Sequence, residues 1–174
     1  MLRLLDRLEE AIIAFLIGAA TLIIFAAVVH RYGLGFMAKS IGTLNAWGLP
    51  ALAGAARSTY KFMAGINMTW AQELTIYMFV WMAKFGAAYG VRTGIHVGVD
   101  VLINQMQART RVGFILFGLL AGALFTGIVG ALGANFVWHI YHTDQTSADL
   151  EVQMWLVYLC VPIGSWLMSF RFLQ

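Results

Sequence analysis

The sequence predicts an all-α integral membrane protein of four transmembrane helices plus amphipathic interfacial helices. Three observations lead there. Hydrophobic residues make up 61% of the chain and charged ones 11%, whereas charge in soluble domains runs nearer about a quarter. The apolar residues gather into four runs, each close to the ~20 residues that cross a bilayer as a helix. Glycine is abundant (18) and proline scarce (2), which suits closely packed helices more than loops. With a mean hydropathy of +0.79, the whole chain, 1–174, reads as a single four-helix membrane domain.

The first run is AIIAFLIGAATLIIFAAVV, 11–29, free of charge. The preceding LRLLDRLEE mixes acids with arginines, and the run exceeds a typical signal-peptide core, so it reads as a retained span. The second is WAQELTIYMFVWMAKFGAAYG and its flank, about 70–91. The third, 112–138, carries no charge. The fourth, 152–170, contains Pro162, which removes one helical hydrogen bond and predicts a kink near Tyr158.

Two connections read as helices lying at the interface. Over 95–108, Ile95, Val99, Leu102, Ile103 and Met106 recur at helical spacing, with Asp100, Asn104 and Gln107 off that stripe. In the long first connection, Pro50 can open a helix over about 50–65. Arg57 and Lys61 share one face of it, and Leu52, Ala56, Tyr60 and Met63 another. Lysine and arginine set the orientation. With a cytoplasmic N-terminus, Arg3, Arg7, Arg92, Arg109, Arg111 and Arg171 lie inside, and Arg31, Lys39, Arg57 and Lys61 outside. Both termini are therefore expected in the cytoplasm. The net charge of +3 is spread along the chain and offers no basic stripe for nucleic acid.

The second span poses the chemical question, because Glu73 and Lys84 stand in it. A charge at mid-bilayer costs on the order of 3 kcal/mol. Eleven residues apart on a helix, the two face nearly the same way but ~16 Å apart along the axis, too far to pair. Tyr77 and Trp81 fall near that face, while Gly86 and Gly90 form a GxxxG on roughly the opposite one. Glu73 lies three residues from Trp70, an interfacial anchor, and can reach the outer headgroups. For Lys84, eight residues short of Arg92, two readings stand: partial snorkelling, or a buried partner that can belong to another chain. GLLAG, 118–122, is a second helix-contact signature.

No CxxC, HExxH, GxSxG or phosphate-binding glycine loop occurs, and neither a catalytic, a cofactor nor a metal site is expected. Cys160, the single cysteine, sits in an apolar run and reads as an inert buried thiol. His30, His96, His139 and His142 all lie at span ends. A haem-binding electron-transfer subunit is the competing reading, requiring histidines that face each other across the bundle. There is no internal repeat of the kind that secondary transporters carry.

The chain also resembles the small, DctQ-type membrane subunit of tripartite ATP-independent periplasmic (TRAP) transporters. The resemblance rests on Trp70, Glu73, Leu74 and Tyr77 in WAQELTIY, on Trp81, Gly86 and Ala87, on Arg92, Gly94, His96, Val97, Val99 and Asp100 in RTGIHVGVD, and on Tyr158, Pro162 and Gly164 in the last span. It implies a non-catalytic subunit of the bacterial inner membrane that pairs with a large permease subunit. That large subunit is expected to hold the sodium and carry substrate by an elevator motion, with the small one enlarging its stationary scaffold. A periplasmic binding protein would deliver an organic acid, with a C4-dicarboxylate the first choice from family frequency. Trp70, Glu73, Tyr77, Trp81, Lys84, Gly86, Gly90, Arg92, His96, Asp100 and Pro162 are the subunit-interface or structural candidates. Two departures stand out: the segment 34–68 is longer than expected between the first two helices, and Lys84 occupies a place expected to be apolar.

Overall fold

A computed structural model of the chain describes residues 2–94 and 108–174. Its helices, in order, are α1 (Leu2–Ala46), α2 (Pro50–Ala64), α3 (Thr69–Thr93), α4 (Ala108–Tyr141), α5 (Met154–Tyr158) and α6 (Cys160–Phe172). Among the described residues the β structure is an isolated bridge between Thr146 and Gln153. Four segments are long and apolar enough to span a bilayer: Leu5–Ala46, Thr69–Thr93, Thr110–Tyr141 and Met154–Phe172. Phe15, Leu22, Phe25, Phe117, Leu124, Phe125 and Leu132 are exposed, as suits helices whose solvent is lipid or another membrane chain. This is the all-α, four-span architecture that the hydropathy runs predict. The chain divides into two compact units, 18–76 and 1–17 with 77–174, where the sequence suggests one domain.

In the unit 18–76, α1 differs most from expectation. It does not stop at the end of the first apolar run but continues to Ala46, through the glycine-containing start of the long first connection. Glycine disfavours a helix interior by ~1 kcal/mol each, so propensity alone argues for a break. Packing overrides it. Leu34, Met37, Ile41 and Leu44 recur at three- and four-residue steps as the less exposed positions. On α2, Ala53 is buried and Ala56, Tyr60 and Met63 are half-buried at the same spacing. A Cβ at Gly33 would lie 3.0 Å from the Met63 methyl, so α1 and the end of α2 pass close together there. His30 donates from Nε2 to the Met63 carbonyl at 2.8 Å, tying α1 to the end of α2.

The turn between α1 and α2 is a Schellman closure. The Gly48 and Leu49 amides donate to the Asn45 and Leu44 carbonyls, each at 3.1 Å, and Gly48 takes φ +72°. Pro50 then starts α2, where its missing N–H is harmless. At the next corner the Asn67 side-chain oxygen accepts from both the backbone and the hydroxyl of Thr69, at 3.0 Å each, and so caps α3.

In the other unit, α4 packs along α6 on small residues. A Cβ at Gly122 would lie 2.9 Å from the Phe172 ring, and one at Gly133 2.9 Å from Val161. At Gly130 it would run into the Trp166 indole. Ser169 Oγ donates across the seam to the Ala123 carbonyl at 2.8 Å. Of the expected GLLAG contact, Gly122 alone meets another helix; Gly118 faces open space. The proline break falls where expected: α5 ends at Tyr158 and α6 begins at Cys160. The loop before α5 is pinned by Ser147, whose amide donates to the Val152 carbonyl at 2.8 Å and whose hydroxyl accepts from the Val152 amide at 3.2 Å. The interfacial helix expected over 95–108 lies outside the described residues, apart from Ala108, which opens α4.

Candidate functional site

The strongest electrostatic feature joins three helix ends that sequence spacing does not connect. Arg171, near the end of α6, has a side chain with no exposure and faces two acids on the first turns of α1. Its Nη2 lies 2.6 Å from Asp6 Oδ1 and donates to Glu9 Oε2 at 2.8 Å. Its Nε donates to Glu9 Oε1 at 3.2 Å, and Nη1 to Gln174 at 2.9 Å. Glu9 is 2% exposed. The planar guanidinium fork suits this two-point grip on a carboxylate. From α3, Arg92 Nε stands 3.7 Å from the same Asp6 oxygen, and Tyr89 donates to Glu10 Oε1 at 2.6 Å. The start of α1 and the ends of α3 and α6 are thus locked at one end of this unit.

Sequence reasoning treats Arg92 and Arg171 as orientation charges and LRLLDRLEE as a flank, and misses the cluster. One signal was present: Asp6, Glu9 and Glu10 sit three and four residues apart, on one helical face at the mouth of an apolar run.

The singled-out residues of α3 fall into several environments. Trp70 donates from its indole to the Asn67 carbonyl at 3.1 Å, bracing the corner before the helix. Glu73 is half-buried and engaged within the chain. Tyr77 donates to the Met154 sulfur at 3.6 Å, joining α3 to α5. Trp81 stacks on Phe85, one turn on, with ring centres 5.9 Å apart. Lys84 is half-buried, and its stem lies against Gly164 of α6. Among the described residues nothing approaches within 4 Å of where a Cβ would stand at Gly86 or Gly90, so that small-residue face is open to them. Arg92 joins the acidic cluster, and Pro162 makes the α5–α6 break. His96 and Asp100 lie outside the described residues.

The haem reading gains no support. His30 spends Nε2 on the Met63 carbonyl, and His142 directs Nδ1 to the Trp138 carbonyl of its own helix at 2.8 Å. Among the described residues no three His, Cys, Asp or Glu side chains converge as metal ligands. The polar side chains hold helices to helices, and the outer faces are apolar. Two cavities stand out. One, of about 380 Å³ in the unit 18–76, is lined by Ile24, Val28, Leu34, Arg31, Asn67 and Gln72 among others. The other, of about 290 Å³, is an apolar groove between α4 and α5–α6, lined by Trp138, Tyr141, Trp155 and Trp166.

These features define a multi-pass membrane protein. Residues 51–174 match the DctQ component of tripartite ATP-independent periplasmic transporters. Over all 174 residues the chain is 63% identical to a C4-dicarboxylate TRAP transporter small permease protein DctQ from Rhodobacter capsulatus, covering 77% of that relative. Proteins of the same description from Vibrio cholerae and Pseudomonas aeruginosa are 29% and 30% identical over 97% and 99% of this chain, and 69% and 82% of their own lengths. No solved structure matches significantly. The chain belongs to the DctQ family and is a small membrane subunit of a TRAP transporter. The Rhodobacter match runs through 34–68 as well, so the long first connection has a counterpart in that relative.

Proposed function

We propose that this subunit forms an obligate heterodimer with a large TRAP permease subunit and enlarges its stationary scaffold. It catalyses no reaction and holds no cofactor; the coupling sodium belongs to the large subunit. The transported substrate is a C4-dicarboxylate, the class named for all three relatives, brought by a periplasmic binding protein. The chain sits in the bacterial inner membrane with both termini cytoplasmic. The Asp6–Glu9–Arg92–Arg171 cluster supports that orientation, since it gathers the start of α1 and the ends of α3 and α6 where the Lys and Arg bias assigns the inside.

The observation that carries the reading is the division of surfaces. Inside the unit 1–17 with 77–174, the Asp6–Glu9–Arg92–Arg171 charges and the glycines at 122, 130, 133 and 164 serve internal helix contacts, while large apolar side chains and the open Gly86–Gly90 face look outward. Such a body suits partner helices better than chemistry on a solute. Co-purification tests it: a tagged chain should bring down the large subunit, and dicarboxylate uptake into liposomes should need both. A lone chain that transports would sink the proposal. The α1 extension and α2 form the outer face offered to the binding protein. Deleting 45–66 should then weaken binding-protein affinity and uptake, and unchanged values would remove that role.

A further inference from the structure

Lys84 is a cation half-buried within the α3 span. The carbons of its stem cross α6 at Gly164, where a Cβ would stand 2.6 Å from Lys84 Cβ, 3.3 Å from Cγ and 3.4 Å from Cδ. Any larger residue at 164 would obstruct that passage. Helices α3 and α6 both end at Asp6, through Arg92 and Arg171, so they run in the same direction. Helical side chains tilt toward the N-terminus of their helix, so the Lys84 stem leans away from the Arg92 end. That direction opposes snorkelling toward the Arg92 end.

No acceptor meets it among the described residues. Among the described residues Lys84 makes neither a hydrogen bond nor an ion pair. The acids at the charged end of this unit are committed, Asp6 and Glu9 to Arg171 and Glu10 to Tyr89, and Glu73 on α3 itself is engaged within the chain. Cys160 is a buried thiol, a weak acceptor at best. A half-buried ammonium held in a membrane span by a glycine-gated stem calls for an anion from outside the chain.

We propose that Lys84 is a docking cation, whose ammonium pairs with an Asp or Glu carboxylate on a membrane helix of the large subunit. The proposal rests on the heterodimer above and names the chemistry at one point of its interface. Lys84→Met keeps the stem's length and apolar character while removing the charge. Expressed alone, that variant should reach the membrane at least as abundantly as wild type, since it sheds a buried charge. In co-expression its recovery of the large subunit should fall at least about tenfold, because a buried carboxylate there loses its partner. Lys84→Glu should fall likewise, and reversing one Asp or Glu in a membrane helix of the large subunit to Lys should restore recovery. Undiminished recovery with Lys84→Met overturns the proposal and leaves the ammonium to lipid phosphate or water. So does a Lys84→Glu defect that no such reversal repairs, whatever the abundance of either variant alone. Failure of the wild-type chain to recover the large subunit is a separate result, which defeats the heterodimer and not this contact alone.

Discussion

The two units use different physical means to hold long helices. In 1–17 with 77–174, the contacts are dense and unforgiving: a buried guanidinium gripped by two carboxylates, and an α4–α6 seam so close that it admits only small residues at Gly130 and Gly133. In 18–76, α1 and α2 meet through a narrow row of small and aliphatic side chains, closed at one end by a glycine turn and at the other by one histidine bond. Where lipid is the solvent, burying apolar surface between helices gains little, and close packing and polar links do more of the holding. A hairpin carrying exposed Lys39, Arg57 and Lys61 can be held more lightly.

That contrast can be broken most sharply at Arg171. Replacing it with Ala strands Glu9 and Asp6 and should cost about 3–5 kcal/mol, read as a large drop in thermal stability in detergent and in membrane abundance. The double change Glu9→Leu with Arg171→Leu should be milder than Arg171→Ala, because no buried Glu9 carboxylate is left unpaired. Equal losses would mean that the pair is not the linchpin.

The seam gives the next largest effect. Gly130→Ala drives a methyl into Trp166 and should cost about 1–3 kcal/mol. Gly35→Ala in the α1 extension, where a Cβ meets nothing within 4 Å, should instead stabilise by up to ~1 kcal/mol through helix propensity. Opposite shifts in melting temperature would confirm the difference between the units; shifts of the same sign would erase it.

Smaller changes probe the hairpin. Gly48→Ala forces an L side chain into a left-handed turn at φ +72° and should cost about 1–2 kcal/mol, seen as faster hydrogen exchange around 44–53. His30→Leu removes the link to Met63 and should cost ~1 kcal/mol. Its signature is quicker exchange at 63–66 with the α4–α6 seam unchanged; a protected Gly65 amide in that variant would mean that the bond holds nothing.

How much was legible varies residue by residue. Pro162 announced its own break, because the missing N–H and the ring clash are properties of that residue alone. GLLAG pointed to the right helix but to the wrong glycine in part: helical spacing marks a stripe without saying where along it the neighbour crosses. Arg171 and Glu9 stand 162 residues apart, and no local pattern pairs them. The run-on of α1 ran against glycine propensity, since its support comes from α2 folding back along it.

By itself, then, the sequence determined four membrane-spanning segments, the α5–α6 break and membership of the DctQ family, because hydropathy, proline geometry and motif order are carried by short stretches. The tertiary structure alone decided which charges pair. Asp6, Glu9 and Arg171 neutralise one another only because helix ends converge, and the Lys84 stem finds room against α6 only because residue 164 is a glycine. Pair energies depend on distance and burial, and both arise only when helices meet.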